Sequence, residues 1–313
     1  MDKEQIDKTV GEWAYKAIAK HYKKFTKYEN KVLKDKNPHH LHQMRVGMRR
    51  LRSTVDSFAF AVDLPDNITS ASIGKVAKVL GDLRDIDVLQ ETLIEQYQPH
   101  ISKEEIKSFK TVLKKLKKNR KSAFKKVKKT LNSKKYKKLK DSFESWLNNP
   151  HYQPIADINI EQILPDLLSP QISYFLLHPG WLIGLDITNG YINSLETELS
   201  LTQEKILHDL RKVAKKTRYN MELFTSLYGE NYSKYLAEIQ EIQEILGVLQ
   251  DCSVLDNFLK ETLEYNYHQK IPTLHEMLRE KYQQELQKWQ TKQKLFLDNI
   301  YKQNLRITIV KPI

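Results

Sequence analysis

The residues with the most chemistry to offer lie in one stretch, His42-Gln43-Met44-Arg45-Val46-Gly47-Met48-Arg49-Arg50-Leu51-Arg52. Read as a helix at about 100° per residue, His42, Arg45, Arg49 and Arg52 share an arc of about 80°. Met44, Met48, Leu51, Val55 and Phe58 fall on another side and form a packing face. Imidazole and guanidinium groups gathered on one arc offer charge-assisted hydrogen bonds to an anion. Like charges three and four residues apart repel by roughly a few tenths of a kcal/mol each. A helix that only packed would have no reason to stack them. Asp56 follows on the same side and relieves part of the repulsion, and a plain solvated basic face is the simplest alternative.

The arrangement returns 166 residues later in His208-Asp209-Leu210-Arg211-Lys212-Val213-Ala214-Lys215-Lys216-Thr217-Arg218-Tyr219. His42 matches His208, Arg45 matches Arg211, and Arg52 matches Arg218. Arg49 and Arg50 are matched by Lys215 and Lys216, Asp56 by Glu222, and Phe58 by Phe224. The same shift aligns Leu80-Gly81-Asp82-Leu83-Arg84-Asp85 with Leu246-Gly247-Val248-Leu249-Gln250-Asp251. Two blocks in one register point to an internal duplication. Two similar helical halves, with matched basic faces looking at each other across a shared channel, are the expected consequence.

The elements that position these residues read as helices throughout. Glycine (9) and proline (10) are scarce among the 313 residues, which argues against an all-β or dinucleotide-binding α/β chain. Helices are expected over 6–35, 39–62, 71–96, 103–131, 134–147, 203–228, 233–264 and 272–302. Thr202 is the expected cap of the second motif helix. Gly81 and its duplicate Gly247 each cost about 1 kcal/mol against alanine inside a helix, so a close approach at both is expected. Residues 148–172 read as irregular, punctuated by Pro150, Pro154, Pro165 and Pro170, with a short helical turn near 161–168. They form the expected boundary between the halves. Residues 173–190 read as a connector, helical character returns at 188–199, and 305–310 reads as a short strand.

Net charge is +13, with Lys+Arg 52 against Asp+Glu 39, which speaks of a polyanionic partner rather than of a fold. From Lys107 to Lys140 there are 17 basic residues and no acidic one. That run reads as a solvated face, as a steering patch or wall of a polyanion site, or as a membrane-surface element. Its apolar side is needed for packing, which disfavours the last. One cysteine, Cys252, excludes an internal disulfide framework and reads as a small core residue. There is no apolar signal region and no run of 18 apolar residues, so a soluble, intracellular chain without a membrane partner is expected.

With both histidine motifs and the shared Leu-Gly…Asp blocks, the sequence resembles the CHAD family, the conserved-histidine α-helical domain, over roughly residues 5–300. The resemblance implies an all-α fold of two pseudo-symmetric four-helix bundles. The chain would be a single domain over 1–302, with halves at about 1–150 and 173–302 and a tail at 303–313. It implies binding of inorganic polyphosphate in a basic channel between the halves, in the cytoplasm and in association with polyphosphate granules. Carried residue by residue, the polyphosphate site comprises His42, Arg45, Arg49, Arg50 and Arg52, then His208, Arg211, Lys212, Lys215, Lys216, Arg218 and Tyr219. Lysines at 215 and 216 keep the charge of the Arg49-Arg50 pair but give up the bidentate fork. Asp85 and Asp251 read as partners that orient arginines. No Glu-x-Glu-x-Lys stretch of the family's attached triphosphate-hydrolysing domain occurs, so the binding domain is expected to stand alone.

Catalysis and metal binding are not expected, and no cofactor is implied. Phosphoryl transfer normally uses a carboxylate-held metal or a placed base, and there is no phosphate-binding glycine loop, no His-Glu-x-x-His and no acidic cluster beside the motifs. His39 and His40 read as residues of the helix start after Pro38. Nucleic acid is the rival polyanion, although no helix-turn-helix, zinc module or aromatic ribonucleoprotein strand supports it. Tyr219 and Trp181 are the aromatic residues that could stack on bases. A helical scaffold with a basic surface is the third reading. The sequence carries no signal for an oligomeric state.

Overall fold

Asn37 opens the helix that carries the first motif. Its side chain accepts a hydrogen bond from the His39 N–H at 2.8 Å, and Pro38 fills a first-turn position that needs no N–H. The structure, a computed structural model, describes residues 9–188, 191–193 and 199–313. In chain order the elements are α1 (Val10–Thr26), α2 (Glu29–Lys34), α3 (Pro38–Ser57), α4 (Ser70–Thr92), α5 (Ile106–Leu131), α6 (Lys134–Asn148) and α7 (Ile160–Leu176). The strands β1 (Asp186–Thr188) and β2 (Tyr191–Asn193) follow. Then come α8 (Leu201–Glu222), α9 (Glu230–Leu263), α10 (Tyr267–Lys270), α11 (Pro272–Leu297) and α12 (Asn299–Ile309). The fold of the described residues is all-α, with one short antiparallel strand pair, β1–β2, in which Ile187 is paired with Ile192.

The chain forms two compact units, Met1–Pro99 with Lys110–Ile163, and His100–Phe109 with Leu164–Ile313. In the first, α3 packs between α1 and α4. Met44, Met48, Leu51 and Phe58 are fully buried there with Ile18 and Phe25, as the apolar arc of α3 requires. A Cβ on Gly47 would lie 2.8 Å from the Phe25 backbone nitrogen, so only glycine lets α1 and α3 come this close. In the second unit, α9 packs against both α8 and α11. Its core holds Leu210, Ala214, Phe224, Ile239 and Trp289, and the Trp181 ring stacks on Phe296 at 4.9 Å.

The 166-residue shift is visible in the elements themselves. It carries Ile106–Leu131 onto Pro272–Leu297, so α5 and α11 begin and end at matched residues. Buried Val112, Ala123 and Val127 of α5 map onto buried Leu278, Trp289 and Gln293 of α11. The α4 span falls within α9, and α8 begins three residues before the position matched to the start of α3.

Several expectations change. The expected first helix is two, α1 and α2, joined by Lys27 and Tyr28, and its residues 6–8 lie outside the described part. Residues 160–176 form a full helix rather than an irregular stretch, despite Pro165 and Pro170 inside it. Burial of Leu164, Leu168, Ile172 and Phe175 along one side outweighs the lost backbone hydrogen bonds. Tyr191–Asn193 is strand where helical character was expected, while 189–190 and 194–198 lie outside the described residues. Ser200, not Thr202, caps α8, in a reciprocal pair with Gln203. Residues 305–309 are helical, because Leu305 and Ile309 are buried one turn apart and the Tyr228 hydroxyl donates to the Ile309 carbonyl at 2.9 Å.

Candidate functional site

Each unit carries one copy of the basic motif face. In the first, α3 turns His42, Arg45 and Arg49 outward, all half-buried, while the buried methionines hold the opposite side. His42 is held below the ordinary histidine range, first by burial and then by the charges of Arg84, Arg45, Arg49 and His39. Burial and the neighbouring arginine charges thus both oppose protonation of this imidazole. Arg45 donates to Asp85 at 3.4 Å, a long and exposed ion pair that leaves most of the positive field in place.

Arg84 was not foreseen as a site residue. It lies on α4, its side chain is 17 % exposed, and its charge follows only burial as a cause of the His42 shift. Its duplicate position holds Gln250, so the repeat gave no sign of it. The available signal was helical spacing, since Arg84 follows Gly81 by three residues on the helix that faces α3.

In the second unit, α8 presents His208, Arg211 and Lys215 in the matched order. His208 is also held low, by burial and then by Lys212 and Arg211, with Asp209 opposing. His208 Nδ1 and Arg211 Nε are buried without a hydrogen-bond partner among the described residues. The Arg211 Nε–H is a donor and favours an acceptor brought by a ligand, while His208 Nδ1 donates or accepts according to its tautomer. Carboxylates pair with part of this face, as Asp85 does on the first. Lys212 pairs with Asp209, and Arg218 lies 3.2 Å from Glu222 with its guanidinium 4.8 Å above the Tyr219 ring.

The surroundings of the remaining sequence-expected residues differ. Arg50 turns toward α1, where it helps burial push His21 down to about 4. Arg52 donates to Ser70 Oγ at 3.1 Å and rests against Gly74. Lys216 is exposed, and Tyr219 is buried at 4 % exposure. Trp181 is buried as well, so neither aromatic expected to stack on bases offers a free ring face. Cys252 is buried, and burial pushes its thiol up to about 11. Among the described residues no group of three or more His, Cys, Asp or Glu is arranged to hold a metal ion. No described helix is long and apolar enough to cross a membrane.

Both expected close approaches occur, and each is made by the duplicated arginine. A Cβ on Gly81 would lie 3.5 Å from Arg45 Nε, and one on Gly247 would lie 3.3 Å from Arg211 Nε. The glycines are thus the floor on which the two matched guanidinium groups rest. The distances predict different outcomes. Gly247→Ala forces the Arg211 head to shift, whereas Gly81→Ala makes ordinary contact with Arg45. Each gains about 1 kcal/mol of helix propensity. Both variants are expected to melt at or above the wild-type temperature in calorimetry. Only Gly247→Ala should weaken anion binding severalfold by titration.

Comparison with known proteins bears on the family and the fold. A family model described as the CHAD domain matches residues 16–260. No curated protein matches the chain. Among solved structures, the CHAD domain from the plant Ricinus communis is similar at 21% identity and a TM-score of 0.60, covering 98% of this chain and 94% of that one. PptA from Streptomyces chartreusis is similar at 13% identity and a TM-score of 0.66, covering 92% of this chain and 100% of that one. At these identities the likeness speaks for the fold.

Proposed function

Since the chain belongs to the CHAD-domain family, we propose that its two basic faces bind inorganic polyphosphate and perform no chemistry on it. The observation that carries this reading is the recurrence, in both units, of a half-buried histidine on the same helix face as an arginine seated on a helix glycine. An internal duplication of one four-helix arrangement accounts for that recurrence, and the matched bounds of α5 and α11 support it. Arginine and lysine contact phosphoryl oxygens by charge-assisted hydrogen bonds, and the faces offer no base-stacking surface through Trp181 or Tyr219. The reading puts the protein in the cytoplasm, with polyphosphate granules.

Titration calorimetry with long-chain polyphosphate, with RNA and duplex DNA in parallel, tests it. Saturable binding that weakens with salt and that nucleic acid fails to displace is the expected result. Equal or tighter nucleic-acid binding would overturn the assignment. The pH dependence has a definite sign. His42 and His208 lie below the ordinary histidine value in the free protein, and a bound polyanion raises both. The complex then holds more protons than the free protein, so affinity rises as pH falls through the bound-state values and levels off below the free-state ones. Proton uptake on binding, read in two buffers of different ionisation enthalpy, should vanish in the His42→Gln/His208→Gln variant.

A further inference from the structure

From the polyanion reading above, on which this rests, we infer that the exposed lysine row of α5 is a second polyphosphate-binding track, engaged by long chains and not by short ones. Lys110, Lys114, Lys118, Lys121, Lys125 and Lys129 recur at spacings of four and three residues, so they form one stripe along the helix. All six are exposed. The stripe runs about 28 Å at a rise of about 1.5 Å per residue. Buried Val112, Leu116, Ala123 and Val127 occupy the other side, so packing does not use the lysines.

The duplication supplies an internal control. α5 carries twelve basic residues and no acidic one, whereas α11, with matched bounds, carries five basic and three acidic. The fold therefore builds the same helix without the lysines, and their mutual repulsion is a cost that packing does not explain.

The run also sorts itself by role. Its one arginine, Arg120, is held by Asp35 and Asp87, and Lys140 is held by Glu29. Those two are the half-buried basic residues of the run, and the other fifteen are exposed. What remains outward is ammonium alone. A compact point charge on a flexible stem suits a flexible chain of phosphates better than a base edge or a sugar.

The row and the first basic face belong to one compact unit. α5 meets α4 through the Arg120–Asp87 pair, and α4 meets α3 through the Arg45–Asp85 pair. A long chain held at His42, Arg45 and Arg84 can extend onto the row, and tripolyphosphate is too short to do so.

The test titrates the full chain and its sextuple Lys→Gln variant at those six positions with tripolyphosphate and with long-chain polyphosphate. Unchanged circular dichroism and a sextuple Lys→Arg variant that keeps wild-type binding control for folding. Lys→Gln is expected to weaken long-chain binding by about tenfold or more and to lower the salt slope by about four, at about 0.7 per contact as for single-stranded polyanions. Tripolyphosphate affinity should stay within twofold, roughly, of wild type, because its contacts lie elsewhere. Undiminished long-chain binding overturns the inference and leaves the proposed function standing. Equal loss for tripolyphosphate also overturns it, since the lysines then act only as a general field. If the variant loses RNA or duplex binding but keeps long-chain polyphosphate, the row is a nucleic-acid surface instead. A wild-type chain that binds neither phosphate removes the proposed function and this inference together.

Discussion

Replacing Arg45, Arg49, Arg211 and Lys215 together with alanine is expected to abolish most polyphosphate binding while leaving the helices intact. Each is a half-buried cation on a motif face, and none contributes to the apolar side of α3 or α8. Alanine is the best helix former, so the backbone has no reason to change. The ion pair lost between Arg45 and Asp85 is exposed and is worth little to stability. If each contact contributes about 1 kcal/mol net, four sum to about 4 kcal/mol, or about 10³-fold in affinity. The measurement is calorimetric titration at fixed salt, with circular dichroism and melting as controls. The two double variants, Arg45→Ala/Arg49→Ala and Arg211→Ala/Lys215→Ala, report each unit's own share. A folded quadruple variant with undiminished affinity would move the site away from both faces.

Arg120→Met is expected to destabilise the first unit markedly. Arg120 donates to Asp35 through both terminal nitrogens, at 2.7 and 2.8 Å, and to Asp87 through Nε at 2.7 Å. Burial raises Asp87 even though Arg120 pulls it down, so this carboxylate depends on its cation. Methionine fills much of the space and leaves two carboxylates without their partner. Breaking a buried pair costs about 3–5 kcal/mol, and partial exposure of Asp35 argues for the lower end, about 3 kcal/mol. That corresponds to a fall of about 6–12 °C in melting temperature for a unit of this size. In the variant Asp87 has a folded value raised above its unfolded one. Its stability contribution is therefore complete below the unfolded value near 3.9, roughly, and is lost as pH rises through the folded value. The deficit should accordingly be large at neutral pH and shrink in acid. An unchanged melting temperature at neutral pH would mean that the clamp behaves as a surface pair.

Much of the candidate site was legible in the sequence because it sits on two helices whose periodicity is local. Met44, Met48, Leu51, Val55 and Phe58 all fall in the core, as their arc required. Gly81 and Gly247 were legible as close approaches, but the group that approaches them was not. Arg45 and Arg211 reach them from another helix, and no local spacing reveals that. Arg84 escaped because the repeat does not preserve it, and the position of Arg50 over His21 escaped because α1 is distant in sequence.

The sequence by itself determined which side chains share a helix face, where the chain repeats, and how the charge is distributed, because each depends only on residue order and the pitch of a helix. Helix ends were decided by local chemistry that can also be read, such as the Asn37-Pro38 start of α3. Only the tertiary structure decided whether a segment of mixed propensity became helix. Pro165 and Pro170 argue against α7 locally, and Leu305, Ile307 and Ile309 suit a strand as well as a turn of helix. Burial against partners elsewhere in the fold tips both, since the apolar area removed from water exceeds the local preference. It likewise decided that Arg120 is a clamp and its neighbouring lysines are free to meet solvent, because Asp35 and Asp87 come to it only when α4 and the turn before α3 are packed in place.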